Sequence, residues 1–224
     1  MWPSSDRLTQ EAVRLPSKGR RVQSAKNIKK PKRKPATMST LDISAIKLGL
    51  LQVSTKGAKQ VPLFNKNDTS IFCQLGPVSV CYEPSAFGDP TASRVNIVLS
   101  TNEFMERVLS ELDAHIVALL AGDSAKFFGT TLTESQILER MQPSVRVSEK
   151  GYKSCRFKMN ISGRNRVQLF GMDKLPCEAP ESWVGCNVMA KVLVKSVWLM
   201  NKEWGILYEA PAVQVEALAV ECPF

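Results

Sequence analysis

The chain has a single histidine, His115, among its 224 residues. That scarcity argues against histidine-based zinc sites and against catalytic arrangements that run through an imidazole. Its six cysteines (Cys73, Cys81, Cys155, Cys177, Cys186 and Cys222) contain no C-x-x-C pair, the spacing that a metal or redox motif usually needs. The N-terminus lacks the apolar stretch of a secretory leader. The thiols are therefore expected to stay reduced and to pack as small hydrophobes, and neither a metal nor a cofactor is expected. No apolar run comes near the roughly 20 residues that cross a membrane as a helix. A Gly-rich phosphate loop, G-x-S-x-G and H-E-x-x-H are all missing, and with them the common enzymatic signatures. Glu103, Glu106, Glu111 and Asp113 cluster in one helical stretch and read as a solvated face, with His115 a surface or boundary residue. A non-enzymatic protein is expected.

What is abundant is positive charge, and it is unevenly placed. The 30 Lys and Arg against 21 Asp and Glu give a formal charge of +9. Residues 1–40 hold 11 basic and 2 acidic side chains, and residues 41–224 hold 19 of each. The excess belongs to the N-terminal tail. That tail has no apolar run long enough to pack, and Pro3, Pro16, Pro31 and Pro35 interrupt it, so nothing offsets its ordering entropy and it is expected to be disordered. Lys18-Gly19-Arg20-Arg21 and the run Lys29, Lys30, Lys32, Arg33 and Lys34 look like a bipartite nuclear-import signal. Such clusters on a flexible backbone also suit a phosphate backbone. The expected organisation is a basic tail over 1–40 and one domain over 41–224, whose apolar content is enough to bury a core.

Within the domain, periodicity predicts mostly strands. Leu41–Ser54, Val61–Phe64, Ser70–Leu75, Val78–Tyr82 and Arg94–Leu99 come first, with turns at Gly57, 65–68 and Gly76-Pro77. Ser100-Thr101-Asn102-Glu103 offers a capping box. Behind it Met105, Leu109, Leu112, Ile116 and Leu119 share one helical face up to Gly122. A shorter helix is predicted after Thr131 and closed by Pro143. Strands then return at Val145–Ser148, Cys155–Ile161, Val167–Phe170, Val188–Met200 and Trp204–Val215. Strands, a helical insertion, then more strands fit a mainly β fold: an OB-like antiparallel barrel with helices on one side. Two similar heptads, Val53–Lys59 and Val147–Lys153, read as two basic hairpin turns.

The domain is neutral overall but segregated. Residues 144–176 carry eight cations, among them Lys150, Lys153, Arg156, Lys158, Arg164 and Arg166, against two carboxylates. The segments on either side are net acidic. Aromatic residues lie in the same stretch and in the hairpin after it: Tyr152, Phe157, Phe170, Trp198, Trp204 and Tyr208. Cations for the backbone with aromatic faces for the bases is the combination that holds single-stranded nucleic acid. Strand alternation sends Arg156 and Lys158 to one face and Phe157 to the core. The two tryptophans depend on hairpin register. A two-residue turn puts them on opposite faces and a three-residue loop puts them on one.

The string Pro143–Tyr152, then Arg156-Phe157-Lys158, then Lys191 through Trp198 and Trp204 to Ile206, resembles a phage-type family of OB-fold single-stranded DNA-binding proteins, with relatives in large DNA viruses of eukaryotes. The resemblance covers roughly residues 140–215, and residues 41–100 by pattern alone. It implies a barrel that binds single-stranded DNA in replication, recombination or repair, with Lys150, Lys153, Arg156 and Lys158 at phosphates and Trp198 and Trp204 under bases. The partners so admitted are single-stranded nucleic acid (DNA ahead of RNA), an import receptor for the tail and a second copy of the chain, with no membrane. The setting would be the nucleus or a viral replication compartment. The competing reading is a structural or virion-associated β-sandwich whose basic arm neutralises nucleic acid. The first reading requires the cationic strands and the tryptophan hairpin to line one concave wall.

Overall fold

Alternating apolar and polar positions resolve into strands over much of the chain, and the longest of them close on one another. The computed structural model describes residues 41–55, 57–86, 91–200 and 202–216. The basic tail with its import-like run, Lys29, Lys30, Lys32, Arg33 and Lys34, lies outside the described residues. Contacts divide the chain into two units, Met1–Ala36 and Thr37–Phe224, and every described residue belongs to the second.

The elements are β1 (Lys47–Leu48), β2 (Gln52–Val53), β3 (Lys59–Phe64), β4 (Ile71–Ser85) and β5 (Arg94–Ser100), then α1 (Glu103–Gly122), α2 (Ser124–Phe128) and α3 (Glu134–Leu138). After the helices come β6 (Met141–Gln142), β7 (Val145–Val147), β8 (Lys153–Asn160), β9 (Gln168–Phe170), β10 (Asn187–Met200) and β11 (Glu203–Glu216). This is the mainly β class with a helical insertion. Hydrogen bonding runs β10-β4-β5-β8-β11 and returns to β10, a ring of five strands. Four of its five pairings are antiparallel. The fifth, β8 with β11, is parallel and rests on the single bridge Glu209↔Lys158. The closure is therefore slight at one seam, and the ring is not antiparallel throughout.

The interior is filled from both layers. Ile97, Leu99, Phe157, Val192 and Val197 from the ring, and Met105, Leu109, Leu112 and Ile116 from α1, are all at most 1% exposed and belong to one core cluster. Each such apolar side chain contributes roughly 1.5–3 kcal/mol by leaving water.

Four local expectations are corrected. Leu41–Ser54 is not one strand but a 3-10 turn at Ile43–Ala45 followed by the two-residue β1 and β2. Asn102, not Ser100, caps α1. Asn102 Oδ1 accepts the Met105 N–H at 2.9 Å, while Ser100 Oγ accepts the Ser79 N–H at 3.0 Å. The capping box of α3 begins at Thr133 with Gln136, two residues after Thr131, because those two side chains and backbones bond reciprocally. The expected turn at Gly76-Pro77 is instead a bulge inside the continuous strand β4. The register against β10 shifts there by one residue, from Val188↔Val78 to Ala190↔Leu75.

Gly76 makes that bulge possible. Its φ is +112°, and a Cβ would collide with the carbonyl oxygen of Val188. Gly76→Ala combines a left-handed backbone with a backbone clash. It is expected to lower unfolding free energy by about 2 kcal/mol or more, read as a fall in the urea midpoint with the slope unchanged.

Candidate nucleic-acid interface

The outward positions of β8 and β5 form the floor of a groove. On β8 the core takes Cys155, Phe157 and Met159, so Arg156 and Lys158 face away from it. Across the pair, Asn96 stands opposite Lys158 and Arg94 opposite Asn160, which puts Arg94 and Asn96 on the same face. Arg146 joins from β7, where it pairs with Ser154.

The third wall is the β10–β11 hairpin. Met200 pairs with Glu203, Leu199 with Trp204 and Trp198 with Gly205. This is the two-residue turn, and it separates the tryptophans. Trp204 points inward at 0% exposure and its indole N–H donates to the Ile137 carbonyl at 2.8 Å. The stacking role expected for Trp204 is thus corrected: the side chain ties α3 to the hairpin and offers no face to a ligand. Trp198 points outward and lines the groove. A Cβ on Gly205 would stand 2.8–3.0 Å from three indole atoms of Trp198. The absence of that carbon is what lets the ring lie flat across β11.

The groove is lined by Arg94, Arg146, Arg156, Lys158 and Trp198, with Tyr208 and Ser144 at its base. Among the described residues, no carboxylate lines it. Partial burial and then the Arg146 charge depress the Arg156 pKa, as expected where two guanidiniums stand close. Among the described residues no carboxylate lies within 4 Å of Arg146 or Lys158.

Other expected site residues lie elsewhere. Lys153 is engaged with Glu106 of α1 at 2.6 Å, and that bond, followed by one from Thr101, holds Glu106 below the ordinary carboxylate value. Lys150 and Tyr152 sit at the exposed turn between β7 and β8, outside the groove lining. Arg164 and Arg166 line a separate groove beside β10. The structure thus unites Arg156, Lys158 and Trp198 from the expected set. It adds Arg94 and Arg146, of which only Arg146 had a signal, as a member of the basic segment.

Beneath the groove lies a buried polar chain. Ser144 Oγ donates to Asp113 Oδ1 at 2.6 Å, the Ser144 N–H donates to Asp113 Oδ2 at 2.9 Å, and the Tyr208 hydroxyl is 2.6 Å from Ser144 Oγ. Asp113 is 7% exposed, which corrects its reading as part of a solvated face. Burial raises its pKa against the lowering pull of the two Ser144 bonds. Tyr208, packed edge-to-face on Phe157 with ring centres 5.7 Å apart, is raised well above the ordinary phenol value, chiefly by burial.

No protein-family model and no curated protein matches the sequence. Some solved structures are similar to it in fold. A single-stranded DNA-binding protein from bacteriophage Enc34, in complex with ssDNA, is 13% identical over 75% of this chain and 95% of that one, with a TM-score of 0.44. A C-terminal truncation of the Enc34 protein is 13% identical over 77% and 96%, at 0.43. The gp2.5 single-stranded DNA-binding protein encoded by bacteriophage T7 is 12% identical over 67% and 88%, at 0.47.

The buried chain sets two expectations for stability. Ser144→Ala leaves Asp113 and the Tyr208 hydroxyl short of a partner and should cost about 1–3 kcal/mol. Because the folded pKa of Asp113 is raised, the stability it contributes is complete below the unfolded value near 3.9 and is lost as pH rises through the folded value. Relative to Asp113→Asn, the wild-type protein should therefore gain stability as pH is lowered from neutrality toward about 4, measured by urea unfolding of both proteins across that range.

Proposed function

We propose that this chain binds single-stranded DNA without strong sequence preference, and without catalysis, along the groove between β8 and the β10–β11 hairpin. One observation carries the reading: among the described residues, every charged residue lining the groove is a cation, and an outward indole forms its wall. Arg94, Arg146, Arg156 and Lys158 would neutralise successive phosphates while Trp198 stacks on a base. Separated bases expose a π-face and a duplex does not, so the aromatic wall favours single strands. The groove lies in the folded domain, which favours this reading over a body that only makes protein contacts while its basic arm neutralises nucleic acid. We assign the activity to replication, recombination or repair, in the nucleus or a viral replication compartment, from the Lys29–Lys34 run and the sequence resemblance. The tail would add nonspecific affinity and engage an import receptor.

Titration with oligonucleotides tests the assignment directly. Trp198→Ala should weaken binding roughly 5- to 100-fold, the value of one stacked base, and remove most of the fluorescence quenching. Gly205→Ala should weaken it too, although no contact group is lost. Arg156→Ala and Lys158→Ala should each reduce the slope of log affinity against log salt by about 0.7. A chain lacking residues 1–40 should still bind with quenching. Binding that vanishes with the tail, or a Trp198→Ala protein of wild-type affinity, would remove the groove from consideration.

A further inference from the structure

We infer that a second groove, on the β4 side of the Glu209 ion cluster, holds the continuation of the same DNA strand, with Phe72 as a second stacking station. The inference rests on the reading of the Trp198 groove and extends it from one station to a path. Phe72, Arg164, Arg166, Lys191 and Lys195 line this second groove. Phe72 faces outward at 45% exposure, beside Leu193 in register, and Lys191 Nζ stands 4.6 Å from its ring centre. An exposed ring among cations is the combination that also lines the Trp198 groove.

Charge identifies the occupant. Among the described residues no carboxylate lies within 4 Å of Arg164, Arg166 or Lys191. Among the described residues, Glu209 is the one carboxylate in the lining. It is 8% exposed, held by Lys195 at 2.6 Å and approached by Arg94 at 3.9 Å. Its charge is answered by those two cations, and Arg164, Arg166 and Lys191 add their charges to the same groove.

Position identifies the path. Lys191, Leu193, Lys195 and Trp198 are the less buried positions along one strand, β10, between core residues Val192, Val194 and Val197. From Lys191 to Trp198 the strand rises about 23 Å. At the roughly 3.4 Å spacing of stacked nucleotides that span takes about seven, and fewer when the strand is extended. Arg94 lines the first groove and touches Glu209, which lines the second. The ion cluster is their shared wall.

The test is a length series of oligodeoxythymidylates, from about 4 to about 16 nucleotides, titrated into the full chain. Wild-type affinity should rise with length. Phe72→Ala, and separately Arg164→Ala with Arg166→Ala, should leave the shortest oligonucleotide at wild-type affinity. They should weaken the longest, by roughly 5- to 100-fold for the lost stack. Trp198→Ala should weaken every length. Wild-type affinity for the longest oligonucleotide in both second-groove variants overturns the inference, as does equal loss at all lengths. Trp198→Ala without effect at any length instead overturns the underlying reading of the first groove, which keeps the two failures apart.

Discussion

One extra residue in β10 decides what the groove is made of. Against β11, β10 advances from Val194 to Ser196 while its partner moves only from Tyr208 to Leu207. A bulge of this kind inverts which side of the sheet the following residues face. Before it, Val188, Ala190, Val192 and Val194 are buried, and after it Val197 and Leu199 are. Without the shift, Trp198 would enter the core and Val197 would stand on the groove wall. The skipped residue is Lys195, and its ammonium closes onto Glu209 at 2.6 Å. Glu209 also supplies the one backbone bridge that joins β8 to β11. Bulge, ion pair and ring closure are therefore one local structure, and the outward indole is its consequence.

That arrangement explains how a domain with no net charge can present a cationic surface. The carboxylates are not removed but used elsewhere. Glu106 holds Lys153 to the helix, Glu83 accepts the Ser182 hydroxyl and the Trp183 and Val184 N–H groups, and Asp113 is buried under the groove. Glu209 is paired with Lys195. Four acids that would cancel a phosphate-binding field are each tied to a structural partner. Among the described residues, the charged side chains that line the groove, Arg94, Arg146, Arg156 and Lys158, are all cations, and a groove of one sign focuses its field on an anionic ligand.

Much of this was legible in the sequence, for identifiable reasons. Period-two alternation fixed the faces of β8, so Phe157 in the core and Arg156 and Lys158 outside followed from parity alone. The two similar heptads read as hairpin turns are the same turn in the structure. Gly57 and Gly151 have φ of +79° and +81°, Ser54 and Ser148 N–H groups bond to the Ala58 and Tyr152 carbonyls, and each serine hydroxyl accepts the returning N–H. What could not be read depends on partners distant in the chain. Arg94 carries no local signal, and only its pairing with Asn160 puts it beside Lys158. Trp204 and Trp198 are alike in sequence, and a hairpin register separated them. Asp113 falls among solvated acids by composition, but Ser144 and Tyr208, 31 and more residues away, take it inside.

The buried chain from Asp113 to Tyr208 has a further role in this geometry. The helical layer and the strand ring share an apolar core, and apolar contacts specify volume better than position. Hydrogen bonds specify position. Ser144 bonds α1 through Asp113 with both its backbone and its hydroxyl, and meets β11 through Tyr208, at the point where the chain turns from β6 into β7. Arg146 follows two residues later, and Trp204 fixes the other end of the same layer through its bond to Ile137. The wall that carries Arg146 and the hairpin that carries Trp198 are thus each pinned to the helices by directional bonds from buried groups. A polar network of this kind is costly when incomplete and rigid when satisfied, and here it holds two walls of the groove in fixed relation to their support.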